Sequence, residues 1–371
     1  MKKLLLVVTL IVCGLLAKAG TDGYRIIGKV PGVKKAMAYL IVNVVNVPDT
    51  IARAEVIDGK FELKGKVSEV MPVNLTLGNQ SLGGVPVYLE NMEYRIEINP
   101  EYIYYSKIEG GGEAQRISDK YRNIDMRGRE RTKQYVDELN KLEYGSVRYN
   151  EVMSIIDSLR NEIIQEQNRF MEKYADSYLN LDALANYSSK LTAKELKEKF
   201  SKFSPELQKS FSGRTIANWI NKLEHTDAGE IAPDFTVQDP EGNSFNFYSV
   251  KAKVKLLDFW ASWCSPCRAM IPDVKKLYDD FHDKGFEIVS ISMDKSKKAW
   301  LKALEDEKMP WKQGCDFKGA DNVDVPLMKA YAFWGVPYLF LIDENNHIIM
   351  RVTGGDKIPE VRAKLESILG K

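Results

Sequence analysis

The chain has 371 residues, of which 44% are hydrophobic and 28% charged, and its formal net charge is +1. These values are typical of a globular protein, and they exclude wholesale disorder, a polytopic membrane protein and a dedicated nucleic-acid binder, which would carry a basic excess. Length alone predicts two or three domains. Four cysteines are too few for a scaffold held by disulfides, and three histidines far apart in the sequence offer no metal site.

The chain opens with a pattern typical of a secretory signal peptide. Two lysines precede an apolar run over residues 4–16, and Ala17-Lys18-Ala19 follows as a small-x-small cleavage site. The run is short for a membrane span, which needs about 20 apolar residues. We therefore expect residues 1–19 to be removed on export to the periplasm. A membrane-anchored form that keeps this segment and a form lipidated at Cys13 are the alternatives.

Residues 22–112 predict a small β-sandwich-like domain. Polar and apolar residues alternate over Lys60–Lys64 and Tyr94–Ile98, and Asp58-Gly59 supplies a tight hairpin turn. Four further apolar runs are strand candidates: 38–45, 73–77, 85–89 and 102–108. The tyrosines of this region are interpreted as strand residues that pack a half-buried sheet, with a tyrosine-lined binding face as the alternative.

Residues 113–228 predict a helical linker region, because apolar residues recur at helical spacing among charges of both signs. Breaks are expected near Gly145 and over Ser188–Thr192. Ser204-Pro205 predicts a helix start, with serine as the N-cap and proline at the first helical position. Acidic residues interleave the basic run Arg127–Lys133, so this run is interpreted as a solvated helix face and not as a nucleic-acid patch.

From residue 229 to residue 371, strand and helix patterns alternate, which predicts an α/β layer. The expected strands cover 256–260, 286–292, 338–342 and 347–352, and the expected helices cover 266–284, 296–307, 326–332 and 358–369.

Cys264 and Cys267 lie at the junction of the first strand and helix of this region, three residues apart, where they can close a disulfide ring. We expect the first cysteine to face outward and the second to lie one turn inside. The unpaired N–H groups of a helix N-terminus favour negative charge, so the pKa of the Cys264 thiol should fall below its free value of about 8.5. Pro266 fits a first helical turn, and Arg268 adds positive field.

A metal site is the weaker interpretation of these cysteines. A structural zinc site needs four ligands, and the sequence has no second Cys-x-x-Cys and no nearby histidine pair. We therefore interpret the pair as a redox dithiol that works with no metal and no bound cofactor.

Three motifs in the same region are shared with a known family: Ala232-Pro233-Asp234-Phe235, the stretch Phe259–Cys267, and Gly335-Val336-Pro337 followed by Leu339–Asp343. Over about residues 230–371, the chain resembles the TlpA/ResA-like thiol-disulfide oxidoreductases of the thioredoxin superfamily. The upstream regions resemble the N-terminal extension of such proteins in Bacteroidetes-like bacteria, with a DUF4369-like β-domain. The resemblance implies a multidomain chain whose C-terminal α/β thioredoxin-like fold follows a small all-β sandwich-like domain and an α-helical segment.

The resemblance also implies roles for individual residues. Cys264 would be the attacking thiolate and Cys267 the resolving thiol. Asp258 matches a buried carboxylate whose raised pKa lets it take a proton from Cys267, with a solvent-facing aspartate as the alternative. Pro337 matches a cis-proline beside the disulfide, which leaves the backbone of Val336 free to pair with substrate.

Trp263 and Pro266 are expected on the same substrate-binding surface. Two positions depart from the family pattern. Tyr338 stands where a threonine often follows the proline. Met270 stands where cytochrome-maturation members often carry a glutamate, which argues against a role specialised for apocytochromes. Cys315 is expected to be buried and inert, with a third redox-active cysteine as the alternative.

The predicted function is a periplasmic thiol:disulfide oxidoreductase that reduces protein disulfides through a mixed disulfide with Cys264. Its expected partners are protein thiols and disulfides and a membrane-embedded electron donor. One alternative is a thiol peroxidase, although the Pro-x-x-x-Thr/Ser-x-x-Cys setting of peroxiredoxins is absent around Cys264. The other is a non-catalytic binding or scaffold protein with a vestigial redox domain.

Overall fold

The computed structural model describes residues 22–44, 47–78, 84–317 and 326–370. The predicted signal peptide and Cys13 lie outside the described residues. Along the described chain, an all-β part is followed by helices and then by an α/β part, which confirms the expected fold class. No helix in these ranges is long and apolar enough to cross a membrane.

The all-β part forms one sheet that contains eight strands in the described residues. They are β1 (Tyr24–Lys29), β2 (Lys35–Val44), β3 (Val47–Ile57), β4 (Lys60–Gly65), β5 (Met71–Leu77), β6 (Val85–Leu89), β7 (Glu93–Glu97) and β8 (Lys107–Gly110). Their order in the sheet is β6-β5-β2-β3-β4-β1-β7-β8.

This sheet curls over on itself. Five strands lie between β6 and β7 in the sheet, yet only residues 90–92 connect the two along the chain. In a flat sheet the two strands would be about 29 Å apart, whereas the short connection reaches about 14 Å. The two ends of the sheet therefore face each other across a core that includes Ile26, Leu40 and Leu75. A single curled sheet gives the sandwich-like arrangement expected from the sequence.

The tyrosines of the all-β part differ in burial. Tyr94 is buried, and its hydroxyl donates to the Tyr88 carbonyl oxygen at 2.9 Å and accepts from the Glu90 N–H at 2.8 Å. These bonds fix the short connection between β6 and β7. In contrast, Tyr102 is 64% exposed. The interpretation of the tyrosines as sheet-packing residues therefore fits Tyr88 and Tyr94 but not Tyr102.

The strand predicted over 102–108 is wrong in its first half. Residues Ile103–Tyr105 form a single 3-10 turn, and β8 begins only at Lys107. The cause is local, because the side-chain carbonyl of Asn99 accepts the N–H groups of Glu101 and Tyr102 at 3.0 and 2.9 Å. Such a side-chain-to-backbone turn competes with strand pairing.

Six helices follow in the described chain: α1 (Glu113–Leu139), α2 (Val147–Lys173), α3 (Tyr178–Tyr187), α4 (Ala193–Phe200), α5 (Pro205–Lys209) and α6 (Phe211–Glu224). α1 and α2 form an antiparallel hairpin whose turn contains Gly145 at φ 79°. α3, α4 and α6 enclose a second core. The predicted breaks are confirmed, and Ser204 caps α5, with Pro205 in the first helical turn.

The C-terminal part alternates strands and helices. They are β9 (Thr236–Gln238), β10 (Ser244–Asn246), β11 (Val254–Trp260), α7 (Ser265–Phe281), β12 (Phe286–Ser292), α8 (Lys297–Glu307), β13 (Lys312–Cys315), α9 (Pro326–Ala330), β14 (Tyr338–Asp343), β15 (Ile348–Thr353) and α10 (Ile358–Leu369).

The described strands of this part form a mixed sheet in the order β10-β9-β13-β12-β11-β14-β15. β11 lies inside the sheet, parallel to β12 and antiparallel to β14. Every residue of β11 is buried, because helices cover both faces of such a sheet. In this register Asp258 lies opposite both Ser290 and Leu339. This is the thioredoxin-like arrangement that the resemblance implied. The chain passes from the C-terminal end of β11 into α7.

Candidate active site

Cys264 and Cys267 form a disulfide at the N-terminus of α7, with their Cα atoms 5.3 Å apart. Cys264 is the N-cap residue of the helix, and its sulfur accepts the Cys267 N–H at 3.2 Å. Pro266 lies in the first turn, as predicted. A sulfur in this position receives the positive end of the helix dipole, which stabilises a thiolate when the pair is reduced.

The dithiol is less exposed than the sequence predicts. Cys264 was expected to face outward, but it is only 4% exposed, and Cys267 is 1% exposed. The segment around Val336 covers the pair, since the Val336 carbonyl oxygen lies 3.6 Å from the Cys264 sulfur. Trp263, a large apolar side chain that directly precedes Cys264 in the sequence, is 59% exposed.

The peptide bond between Val336 and Pro337 is cis, in agreement with the resemblance. Within the described residues, the Val336 N–H has no hydrogen-bond partner. β14 begins immediately afterwards at Tyr338, whose ring is buried and stacks on Phe333 with centroids 5.2 Å apart. The hydroxyl of Tyr338 accepts a hydrogen bond from Arg351. An anchored strand therefore follows a short segment whose backbone is free to pair.

Asp258 is buried within β11, so the alternative of a solvent-facing aspartate is wrong. The Ser290 hydroxyl donates to its Oδ2 at 2.8 Å, and Oδ1 has no partner in the described chain. Burial raises the pKa of Asp258 to about 7, against the smaller lowering effect of the Ser290 hydrogen bond. The carboxyl group is thus able to hold or release a proton near neutral pH.

Ser290 and Trp311 were missed by the sequence reasoning. The Trp311 indole N–H donates to the Ser290 oxygen at 2.8 Å, which directs the hydroxyl hydrogen of Ser290 toward Asp258. One signal was available: Ser290 and Ser292 lie in β12 among the buried apolar residues Ile288, Val289 and Ile291. Buried hydroxyl groups require partners, so they indicate a polar neighbour on an adjacent strand.

Asp294 was missed as well. It is buried just after β12, and its carboxylate accepts the Ser262 N–H at 2.9 Å and the Ser262 hydroxyl at 2.7 Å. The Ser292 hydroxyl donates to the same carboxylate at 2.6 Å. Because Ser262 precedes Cys264 by two residues, Asp294 ties the approach to the disulfide onto the end of the neighbouring strand.

Arg268 does not act as the free cation that the sequence suggested. Its Nε lies 2.6 Å from Oε1 of Glu307 on α8, so a carboxylate neutralises much of its field at Cys264. Met270 is buried on α7 and packs in the core of the C-terminal part. An apolar side chain at that position cannot supply a carboxylate near the dithiol.

Cys315 lies at the end of β13 and is fully buried. Its sulfur is 3.3 Å from the Asp294 carbonyl oxygen, and it accepts the Phe317 N–H at 3.4 Å. Burial raises the pKa of Cys315 to about 11. These features agree with a buried, inert cysteine. In the described ranges, no group of histidine, cysteine and acidic side chains is arranged to hold a metal ion.

Two family models match the chain. Residues 228–351 match the AhpC/TSA family, and residues 24–116 match a domain of unknown function, DUF4369. Curated relatives include the thiol-disulfide oxidoreductase ResA of Geobacillus thermodenitrificans, which is 30% identical over 157 residues. This match covers 42% of the present chain and 87% of the relative. ResA of Bacillus subtilis is 29% identical over 143 residues, and the match covers 38% of the present chain and 76% of that relative.

Similar solved structures cover about the same share of the present chain as the curated relatives do. The thioredoxin domain of a thiol-disulfide oxidoreductase from Bacteroides vulgatus is 35% identical, with a TM-score of 0.34 and coverage of 37% of this chain and 96% of that one. A thiol:disulfide interchange protein from Bacteroides sp. is 34% identical, with a TM-score of 0.34. This match covers 39% of the present chain and 91% of that protein.

Proposed function

Because the chain belongs to the ResA-like family of thiol-disulfide oxidoreductases, we propose that it reduces the disulfides of exported proteins in the periplasm, with Cys264 and Cys267 as the working dithiol. The observation that carries the proposal is the position of the Cys264 sulfur, at the N-cap of α7 and 3.6 Å from the Val336 carbonyl oxygen. The signal-peptide pattern over residues 1–19 supports the periplasmic location.

The proposed reaction transfers two electrons from the dithiol to the substrate. The Cys264 thiolate attacks one sulfur of a substrate disulfide, that bond breaks, and the leaving thiolate takes up a proton. Cys267 then loses its proton to the Asp258 carboxylate and attacks the Cys264 sulfur. The mixed disulfide breaks, the second substrate thiolate leaves and is protonated, and the Cys264–Cys267 disulfide forms.

The enzyme must then be reduced again by two electrons and two protons. We propose that a membrane-embedded thiol donor supplies them by attack on the same disulfide, since dithiol exchange runs through the same mixed-disulfide chemistry. The free Val336 N–H would pair with the substrate backbone next to the reacting cysteine, and Trp263 and Pro266 would give an apolar surface beside it.

The test is to trap the mixed disulfide. Cys267→Ser removes the resolving thiol, so this variant should accumulate covalent adducts with protein substrates that dithiothreitol releases. Cys264→Ser is the matched control and should trap few or none. Equal trapping by Cys264→Ser would overturn the assignment of the two roles. A wild-type enzyme that neither reduces insulin nor forms adducts would overturn the proposed function as a whole.

A further inference from the structure

The helical region packs directly against the segment that carries the cis-proline. Trp219 on α6 stacks on Trp334, with ring centroids 3.8 Å apart and an interplanar angle of 22°. Trp219 is buried, and Trp334 precedes Val336 by only two residues. Ala332, also buried, belongs to the same core as Trp219. One side of the candidate active site therefore rests on helices that lie outside the thioredoxin-like part.

The backbone in this segment needs that support. Ala332 has a φ of 48°, a left-handed conformation that costs a non-glycine residue roughly 1 kcal/mol or more. Such a conformation persists only where the surrounding packing determines it. The core shared with Trp219 supplies the packing, so α6 helps to hold the backbone that leads to Val336.

The same arrangement leaves a cleft beside the cis-proline. Its volume is about 710 Å³, within the range of about 300–1,000 Å³ that ligand sites occupy. Its lining includes Tyr187 at the end of α3 and Ser189 and Lys190 in the turn that follows. Val336 and Pro337 line the same cleft. A substrate chain paired with the Val336 backbone would lie in this cleft, which the turn also lines.

The charges in the cleft differ in how they are paired. Lys357 also lines the cleft and lies 2.5 Å from Glu360, which neutralises it. Asp356 lines the cleft as well. Lys190 is exposed, and it forms no ion pair within the described chain. Its ammonium group makes a cation–π contact, with Nζ 5.5 Å from the centroid of the Tyr187 ring. Lys190 is thus available to meet an acidic group that enters past Tyr187.

We infer that the segment Tyr187–Lys190 forms part of the substrate cleft and that Lys190 selects protein disulfides with an acidic side chain next to the reacting cysteine. The inference rests on the proposed function and adds a substrate class to it. Trp219 acts as a positioning residue, because it touches Trp334 and not the reacting atoms.

The experiment compares two disulfide peptides that are identical except for glutamate or lysine beside the reacting cysteine. The full-length enzyme should reduce the glutamate peptide with the higher kcat/KM. Lys190→Glu should lower kcat/KM for that peptide about threefold, as loss of an exposed ion pair does, and should favour the lysine peptide instead. Its reduction potential should stay unchanged. Lys199→Glu on α4, which does not line the cleft, is the matched control and should keep the wild-type preference.

A Lys190→Glu variant that keeps the wild-type peptide preference would overturn the inference and leave the proposed function intact. A wild-type enzyme that prefers the lysine peptide, or has no preference, would overturn it too. If the wild type reduces neither peptide and fails to reduce insulin, the proposed function fails and the inference falls with it.

Trp219 gives an independent readout of positioning. Trp219→Ala should raise KM for both peptides by about two- to tenfold, because an aromatic stacking pair is lost. The reduction potential of the Cys264–Cys267 pair should not change, because Trp219 does not touch either sulfur. Trp219→Phe keeps a ring against Trp334 and should restore KM. If folded Trp219→Ala enzyme keeps the wild-type KM, the helices do not position the cleft.

Discussion

Ser290 donates a 2.8 Å hydrogen bond to Asp258 across the central pair of parallel strands. Trp311 donates to the same serine oxygen, so the serine has a single hydrogen to give and gives it to the carboxylate. Burial disfavours the ionised carboxylate, and a single hydrogen bond from Ser290 offsets only part of that effect. The pKa of Asp258 therefore rises to about 7. Both protonation states are therefore populated at neutral pH, which suits a group that takes and returns a proton.

Asp258→Asn should change how stability depends on pH. The pKa of Asp258 is raised from 3.8 to about 7 in the folded chain, so the folded state binds this proton more tightly than the unfolded state. The resulting stabilisation is full below about pH 4 and is lost as pH rises through 7, a change of about 4 kcal/mol at most. The variant should lack this loss, as measured by urea unfolding between pH 4 and pH 8.

The control for that measurement is Asp273→Asn, which alters an exposed carboxylate on the same helix as Cys267. It should keep the wild-type pH dependence. If Asp258→Asn also loses stability between pH 4 and pH 7 as the wild type does, Asp258 does not titrate in that range.

Ser290→Ala should shift the pH profile of the reaction upward. The ionised carboxylate loses its hydrogen bond, so the pKa of Asp258 should rise above 7 by about one unit. Because only the ionised form can accept the Cys267 proton, resolution of the mixed disulfide should slow at pH 7 and recover at higher pH. Single-turnover rates measured against pH test this.

Ser292→Ala is the matched variant, since that serine bonds to Asp294 and not to Asp258. Its profile should keep the wild-type midpoint. An unshifted midpoint in Ser290→Ala would contradict the proposed proton transfer through Asp258.

Asp294→Ala should destabilise the fold and slow the reduction of protein disulfides. Both donors of Ser262 and the hydroxyl of Ser292 would lose their acceptor in a buried site. We expect a loss of about 2–4 kcal/mol in the free energy of unfolding, measured in urea. Asp306→Ala breaks an exposed ion pair with Lys302 and should cost less than about 1 kcal/mol. Equal effects of the two substitutions would show that Asp294 does not anchor the approach to Cys264.

Alkylation of the reduced enzyme should separate the cysteines. Burial raises the pKa of Cys315 to about 11, so only about 0.1% of it is thiolate at pH 8. Iodoacetamide should modify Cys264 first, and Cys315 should react only after unfolding, as peptide mass spectrometry can follow. Modification of native Cys315 at the rate of Cys264 would support the alternative of a third redox-active cysteine.

Local sequence signals predicted the elements that depend on local chemistry. Asp58 and Gly59 form the expected hairpin turn, with φ values of 48° and 71°. The Ser204 cap and the helix over 358–369 are confirmed at the predicted residues. The Cys264 position at a helix N-cap was predictable too, because strand, dithiol and helix follow one another directly in the sequence.

Contacts between distant segments were not predictable in this way. Asp294 and Ser262 are 32 residues apart, as are Ser290 and Asp258, and their pairing depends on which strands become neighbours. The Arg268–Glu307 pair joins two helices for the same reason. A sequence pattern reports the periodicity of one segment, but not the partner that its buried polar groups meet.

The alignment of three strands has a consequence for how this site tolerates change. Asp258 lies opposite Ser290 on β12 and Leu339 on β14, and Leu339 follows the cis-proline by two residues. Successive residues of a strand point to opposite faces, so a one-residue insertion early in β11 would turn the carboxylate away from its serine. The site therefore tolerates no change of length within β11, because this strand must keep Asp258 in register with both of its neighbours.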